Sequence, residues 1–116
     1  MTDLASPARL SAALAYLAET IDARAAEGDA GKSWTAKLLA KGPDACAAKV
    51  AEEGGELAEA VRRESDARVA SEAADVLYHV LVALRSRGVS LDDVAASLES
   101  RQGTSGIDEK AARKSD

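Results

Sequence analysis

Two stretches decide how this chain folds: "KVAEEGGELAEA" (residues 49–60) and "SEAADVLYHVLVAL" (residues 71–84). At about 100° per residue, positions three or four apart share one face of a helix. In the first stretch Glu52 and Glu56 are four apart and Glu53 and Glu56 three apart. Glu59 continues that side, and Lys49 lies one turn before Glu52 and Glu53. In the second stretch Val76, Leu77, Val80, Leu81 and Leu84 cover a broad arc, with Tyr78 and Val82 on the other flank. The apolar residues wrap nearly the whole circumference, the pattern of a buried helix. Glu72, Asp75 and His79 occupy the one remaining sector, and that sector contains no Lys or Arg. A buried carboxylate without a partner is costly enough to be neutralised. Either the sector opens to solvent, or a cation from elsewhere meets it.

Working outward, Ser6 followed by Pro7 predicts a helix start, with Leu10, Leu14, Leu17 and Ile21 at helical spacing behind it. "EGDAGKS" (27–33) is a break, and "WTAKLLAK" (34–41) is a short helix ended by Gly42. Pro43 opens the first acidic helix, which runs to about Glu64. "ESD" (64–66) is a tight connection, and the next helix runs from about Ala67 to Arg87 and stops at Gly88. "SLDD" (90–93) is a capping-box-like start, with Asp93 where Glu or Gln is more usual, for a last helix to about Arg101. No segment alternates with period two and no internal repeat is present. The expected fold is all-α, a bundle of antiparallel neighbours in one domain over residues 1–102. Residues 103–116 form a tail expected to be mobile or ordered only by a ligand or partner.

The totals agree. A chain of 116 residues holds one domain with a modest core, a size at which stability is often shared with a partner subunit. Hydrophobic residues make up 47%, much of it alanine, with no Phe and one Trp, which predicts close helix-on-helix packing. The net charge of −5 argues against a nucleic-acid or membrane-surface binder, yet allows one phosphorylated ligand held through a metal or local cations. The lone Cys46 cannot form an internal disulfide, and without a Cys/His cluster zinc is not expected. No signal-peptide pattern and no membrane-length apolar run is present, which points to the cytoplasm.

The acidic helix alone reads as a solvated face. Gly54 and Gly55 count against that reading, since each costs on the order of 1 kcal/mol relative to alanine in a helix interior. They are tolerable where something must approach the backbone. Combined across the tight connection, E-E-x-x-E on one helix and E-x-x-D on the next bring several carboxylates together, which mutual repulsion disfavours without a cation. Hard oxygen ligands of this kind suit Mg²⁺ or Mn²⁺, and Mg²⁺ commonly shares its shell with substrate phosphates. The chemistry that follows is metal-assisted attack of water on a phosphate chain, with a carboxylate outside the metal set taking the proton. A di-iron bundle needs a Glu-x-x-His pair on each of two helices; the single His79, four after Asp75, does not supply it. His79 reads equally as a core histidine bonded to a neighbouring acid and as a substrate contact.

E-E-x-x-E followed by E-x-x-D resembles the all-α nucleoside triphosphate pyrophosphohydrolases, the MazG-like superfamily. More of the chain is similar to one of its members, the phosphoribosyl-ATP pyrophosphohydrolase family of histidine biosynthesis. "SWTAKLLAKG" (33–42), "KVAEEGGE" (49–56), "EAADVLYHVLVAL" (72–84), "GVSLDDV" (88–94) and "RQGTSGIDEKAAR" (101–113) resemble its segments in order. Ala51, where the family often has glycine, and Gly54 and Gly55, where it has larger residues, depart from the pattern without removing a ligand.

The resemblance implies a MazG-like bundle completed by dimerisation and Mg²⁺-dependent hydrolysis of phosphoribosyl-ATP to phosphoribosyl-AMP and pyrophosphate. It implies Glu53, Glu56, Glu72 and Asp75 as metal ligands, with Mn²⁺ a possible substitute. Glu52 is then a further ligand or the group that orients or deprotonates the water. Lys49 is a phosphate contact, or else an ion pair with Glu52 or Glu53. Lys32, Lys37 and Lys41 are weaker phosphate candidates. Trp34 either stacks on adenine or anchors packing, and Arg101 and Lys110 reach the ribose phosphates if the tail folds over the site. The partners implied are a phosphorylated nucleotide and a second copy of the chain, at least a homodimer. Two rival readings stand beside this one: a house-cleaning nucleotide hydrolase with the same metal chemistry, and a helical interaction module without catalysis.

Overall fold

A computed structural model describes residues 7–103 together with Gly106, Lys110 and Arg113. Ser6 and most of the tail lie outside the described residues, so the cap expected at Ser6 and the expected behaviour of the tail do too. Among the described residues the chain forms five α-helices and no strand: α1 (Pro7–Glu27), α2 (Trp34–Lys41), α3 (Pro43–Arg63), α4 (Asp66–Arg87) and α5 (Leu91–Glu99).

Local chemistry sets each boundary. The Ser33 hydroxyl accepts the Ala36 N–H and starts α2. Gly42, at φ 90°, ends α2 and precedes Pro43 at the first position of α3, where its missing N–H leaves no bond unmade. The Ser65 hydroxyl accepts the Arg68 N–H, so α4 begins at Asp66, a residue earlier than expected. Gly88, at φ 70°, closes α4 in a left-handed turn, its N–H bonding Arg85 O while the Val89 N–H reaches Leu84 O at 3.0 Å. Ser90 and Asp93 form the expected capping box, each side chain accepting from the other's backbone N–H at 3.1 Å. α5 stops at Glu99, two residues short of the expected end.

The connection between α3 and α4 is so short that the two must run antiparallel, and they make the most extensive helix pair. α2 packs on α1, α3 and α4, and α1 also packs on α4; α5 makes no substantial contact with the others among the described residues. The core gathers Ile21, Leu38, Cys46, Leu81 and Val82, with Leu14, Leu17, Leu39 and Tyr78 packed against it. The Cys46 thiol donates to Leu38 O at 3.5 Å, and the Thr35 and Tyr78 hydroxyls share a 2.5 Å hydrogen bond that pins α2 to α4.

One expectation is not met within the single chain. α4 is not buried all round: Glu72, His79, Leu81 and Val82 are buried, but Val76, Leu77, Val80 and Leu84 are only half covered. The reason is that α1, α2 and α3 cover only part of its circumference. Val61 on α3 is 65% exposed and Leu98 on α5 60% exposed, so apolar surface remains on both flanks. No helix among the described residues is long and apolar enough to cross a membrane.

Candidate metal centre

The antiparallel α3–α4 pair brings the two acidic motifs face to face. Glu53, Glu72 and Asp75 each offer a carboxylate oxygen, and these oxygens lie within 4.8 Å of one another. Glu52, Glu53 and Glu56 form a second group on the same criterion, so Glu53 belongs to both. Glu53 and Glu72 are buried, whereas Glu52, Glu56 and Asp75 are exposed. The centre therefore has a closed floor and an open rim, with room for a ligand to arrive from solvent.

The charges strain against each other. The negative charge of Glu53, with a hydrogen bond to it, partial burial and the charge of Glu72, holds the Glu56 carboxyl above its ordinary pKa. Glu72 Oε2 is buried without a hydrogen-bond partner. An unpartnered buried carboxylate oxygen beside two further carboxylates is costly on its own and is what a hard divalent cation would satisfy. The donor set, all carboxylate oxygen, fits such an ion.

Two cations border the site. Lys49 Nζ lies 3.4 Å from Glu52 and 3.5 Å from Glu53, the ion pairs foreseen for it. Partial burial works against the Lys49 ammonium, but hydrogen bonds and opposite charge from Glu52 and Glu53 outweigh it and raise its pKa. The second cation escaped the sequence reading. Arg68 Nη2 donates to Glu72 Oε1 at 2.5 Å, and its Nε donates to Glu64 Oε1 at 3.1 Å. The acidic sector of α4 does have a basic partner: it sits four residues before Glu72, and that i,i+4 spacing was the signal available.

The other expected residues divide. Trp34 is 47% exposed rather than a buried anchor, with Lys37 Nζ 5.7 Å and Lys49 Nζ 5.9 Å from its ring centroid. Trp34, Lys37 and Lys49 thus gather beside the Glu52–Glu53 end of the centre. His79 is buried, and its Nδ1 lies 2.8 Å from the Asp75 backbone carbonyl. The histidine's partner is therefore a main-chain oxygen and not an acid side chain, and Nε2 is buried without a partner. Lys32 and Lys41 are exposed. Arg101 is exposed in the turn after α5, a helix that does not pack substantially on α3. Gly54 and Gly55 differ from expectation: a Cβ at either would meet nothing within 4 Å, so within one chain nothing presses on their backbone.

Fold and site together define a protein that is all-α among the described residues, with a carboxylate cluster able to hold a metal ion built across a helical hairpin. The chain belongs to the phosphoribosyl-ATP pyrophosphohydrolase family, whose model matches residues 14–102. It is 59% identical over 101 residues to a phosphoribosyl-ATP pyrophosphatase of Cereibacter sphaeroides, covering 86% of this chain and 96% of that one. It is 56% identical over 101 residues to one from a Jannaschia species, covering 86% and 97%. Against one from Ruegeria pomeroyi it is 59% identical over 98 residues, covering 84% and 91%.

Proposed function

We propose that this protein hydrolyses phosphoribosyl-ATP between its α and β phosphates, releasing phosphoribosyl-AMP and pyrophosphate, the second step of histidine biosynthesis. The observation that carries the reading is the Glu53–Glu72–Asp75 group, with its buried, unpartnered Glu72 oxygen, in a chain of this family. Glu53, Glu56, Glu72 and Asp75 would hold Mg²⁺, with Mn²⁺ able to replace it. The ion, when bound, offsets phosphate charge and makes water a stronger nucleophile.

The chain's own residues do the rest. Glu52 lies in the α3 carboxylate group but outside the one that spans both helices, and it is exposed at the rim. It accepts the proton of the attacking water. Lys49 and Lys37 supply positive charge at the same edge for phosphate oxygens, and the exposed Trp34 ring offers a stacking face for adenine. His79 has its ring fixed by the Asp75 carbonyl, and a substrate contact through its buried Nε2 would require the site to open. Arg101 meets a ribose phosphate only if the residues after α5 fold over the site.

We infer that a second copy completes the bundle in the MazG-like manner. The radius of gyration is 16.2 Å, against about 13 Å expected of a compact chain of this size. An apolar groove of ≈ 300 Å³, lined by Val50, Val80, Ala83, Leu84, Arg87 and Val89, runs along the half-covered flank of α4. The protein would act in the cytoplasm, where nucleotide substrates are made.

The test is pyrophosphate release with Mg²⁺ from phosphoribosyl-ATP, set against ATP and a panel of deoxynucleotides, with and without chelator. Chelator-sensitive turnover of phosphoribosyl-ATP alone is the expected result. Turnover of ordinary nucleotides instead would move the protein to the house-cleaning class. No turnover of any of them would favour an interaction module.

A further inference from the structure

We propose that Arg68 is a positioning residue that holds the Glu72 carboxylate in the one orientation from which it can bind a divalent cation. The inference rests on the metal-centre reading above and assigns a role to a residue outside the carboxylate set. The two oxygens of Glu72 differ in what surrounds them. Oε1 receives the Arg68 guanidinium, whereas Oε2 is buried with no hydrogen-bond partner. That leaves Oε2 as the oxygen without a protein partner, in a carboxylate that belongs to the Glu53–Glu72–Asp75 group.

Arg68 suits this task better than a competing counter-ion would. It binds the oxygen that the cation does not need, so the carboxylate can satisfy both at once. Its side chain is 57% exposed while that of Glu72 is 4% exposed, so the guanidinium reaches a buried group from the surface. The guanidinium is itself braced, because its Nε donates to Glu64 Oε1 at the end of α3. Glu64, Arg68 and Glu72 are spaced by four residues each, a line that begins at the α3–α4 connection and ends at the metal centre. Arg68 remains protonated at every accessible pH, and the Glu64 hydrogen bond followed by the Glu72 and Glu64 charges reinforces this. Groups that hydrogen-bond a metal-ligating side chain from behind commonly contribute about 10- to 100-fold to metal affinity.

The experiment is calorimetric titration of the full chain with Mn²⁺ and with Mg²⁺, without substrate, for the unaltered protein, Arg68→Gln, Arg68→Lys and Glu64→Gln. Melting curves in chelator run alongside. Arg68→Gln keeps a good helix former at a site whose cap depends on backbone N–H alone, so it should fold. Its Mn²⁺ Kd should rise by about 10- to 100-fold. Arg68→Lys, which restores a charged donor to Glu72, should recover part of that loss, and Glu64→Gln should lose less than Arg68→Gln. A change in melting temperature with unaltered Kd in Arg68→Gln would mean a structural ion pair only and overturn the proposal. Tighter binding in that variant would make Arg68 a competitor of the metal, and no recovery in Arg68→Lys would remove the positioning role; either result overturns it. If the unaltered protein binds neither ion, the metal-centre reading itself fails, an outcome distinct from the other three.

Discussion

A carboxylate oxygen of Glu53 on α3 lies within 4.8 Å of one of Asp75 on α4. These two acids are 22 positions apart in the chain, and the two-residue connection at Glu64 and Ser65 folds one helix back onto the other to bring them together. Neither acid explains the other's position as an ion pair. Like charges so placed repel, and their proximity is the central physical fact about this protein.

Removing one carboxylate should abolish chemistry while sparing the fold. Asp75→Asn and Glu53→Gln should each lower kcat/KM by more than about 100-fold, since each takes a donor from the centre. In chelator both variants should melt at or above the temperature of the unaltered protein, because a like-charge contact is gone. Pyrophosphate-release assays and melting curves check the two halves of this prediction separately. Undiminished turnover in both variants would remove these acids from the site.

The metal-free protein should become less stable as pH rises through the titration of Glu56. Glu53's charge raises the folded-state pKa of Glu56 above its unfolded value. Between the two values the folded chain holds more protons than the unfolded one, so stability falls with rising pH across that window. The contribution is fully present below the unfolded pKa and lost above the raised one. Melting curves in chelator from about pH 4 to about pH 8, with Glu56→Gln as reference, isolate it. The gap between the two proteins should widen in favour of Glu56→Gln as pH rises, and added Mg²⁺ should narrow it.

Gly54 and Gly55 are free to become alanine as far as one chain is concerned. Neither has a positive φ, and a Cβ at either meets nothing within 4 Å. Gly54→Ala and Gly55→Ala should each stabilise by about 0.5–1 kcal/mol, read from denaturant midpoints. A loss of turnover alongside the gain would show that substrate uses the vacant space.

Trp34 should act on binding more than on turnover. Base stacking on an aromatic ring is worth about 1–3 kcal/mol, so Trp34→Ala should raise KM roughly 5- to 150-fold with kcat little changed. Trp34→Phe should retain most of the affinity. Steady-state kinetics with phosphoribosyl-ATP distinguish this from a packing role, which would show as a lower melting temperature with KM unaltered.

Helix ends were legible where their signals are local: Gly42, Pro43, Gly88 and the Ser90–Asp93 capping box each act within a few residues, whereas the Ser65 cap starts α4 one residue earlier than the sequence pattern predicts. The gathering of Glu53, Glu72 and Asp75 was legible because a very short connection leaves two long helices one way to pack. Arg68 is harder to see because it lies one turn before Glu72, outside the apolar run that marks the acidic sector of α4, although the i,i+4 spacing reaches it. The partner of His79 was not legible, since a backbone carbonyl presents the same atom whatever the residue. The all-round apolar pattern of α4 reads as a buried helix, but one chain covers only part of it.

The most direct measurement is the anomalous difference map of a crystal grown with Mn²⁺. A peak is expected between α3 and α4, bounded by the carboxylates of Glu53, Glu72 and Asp75, with Glu56 adjoining. A well-occupied ion elsewhere, or none at that position while those carboxylates keep their present arrangement, would contradict it.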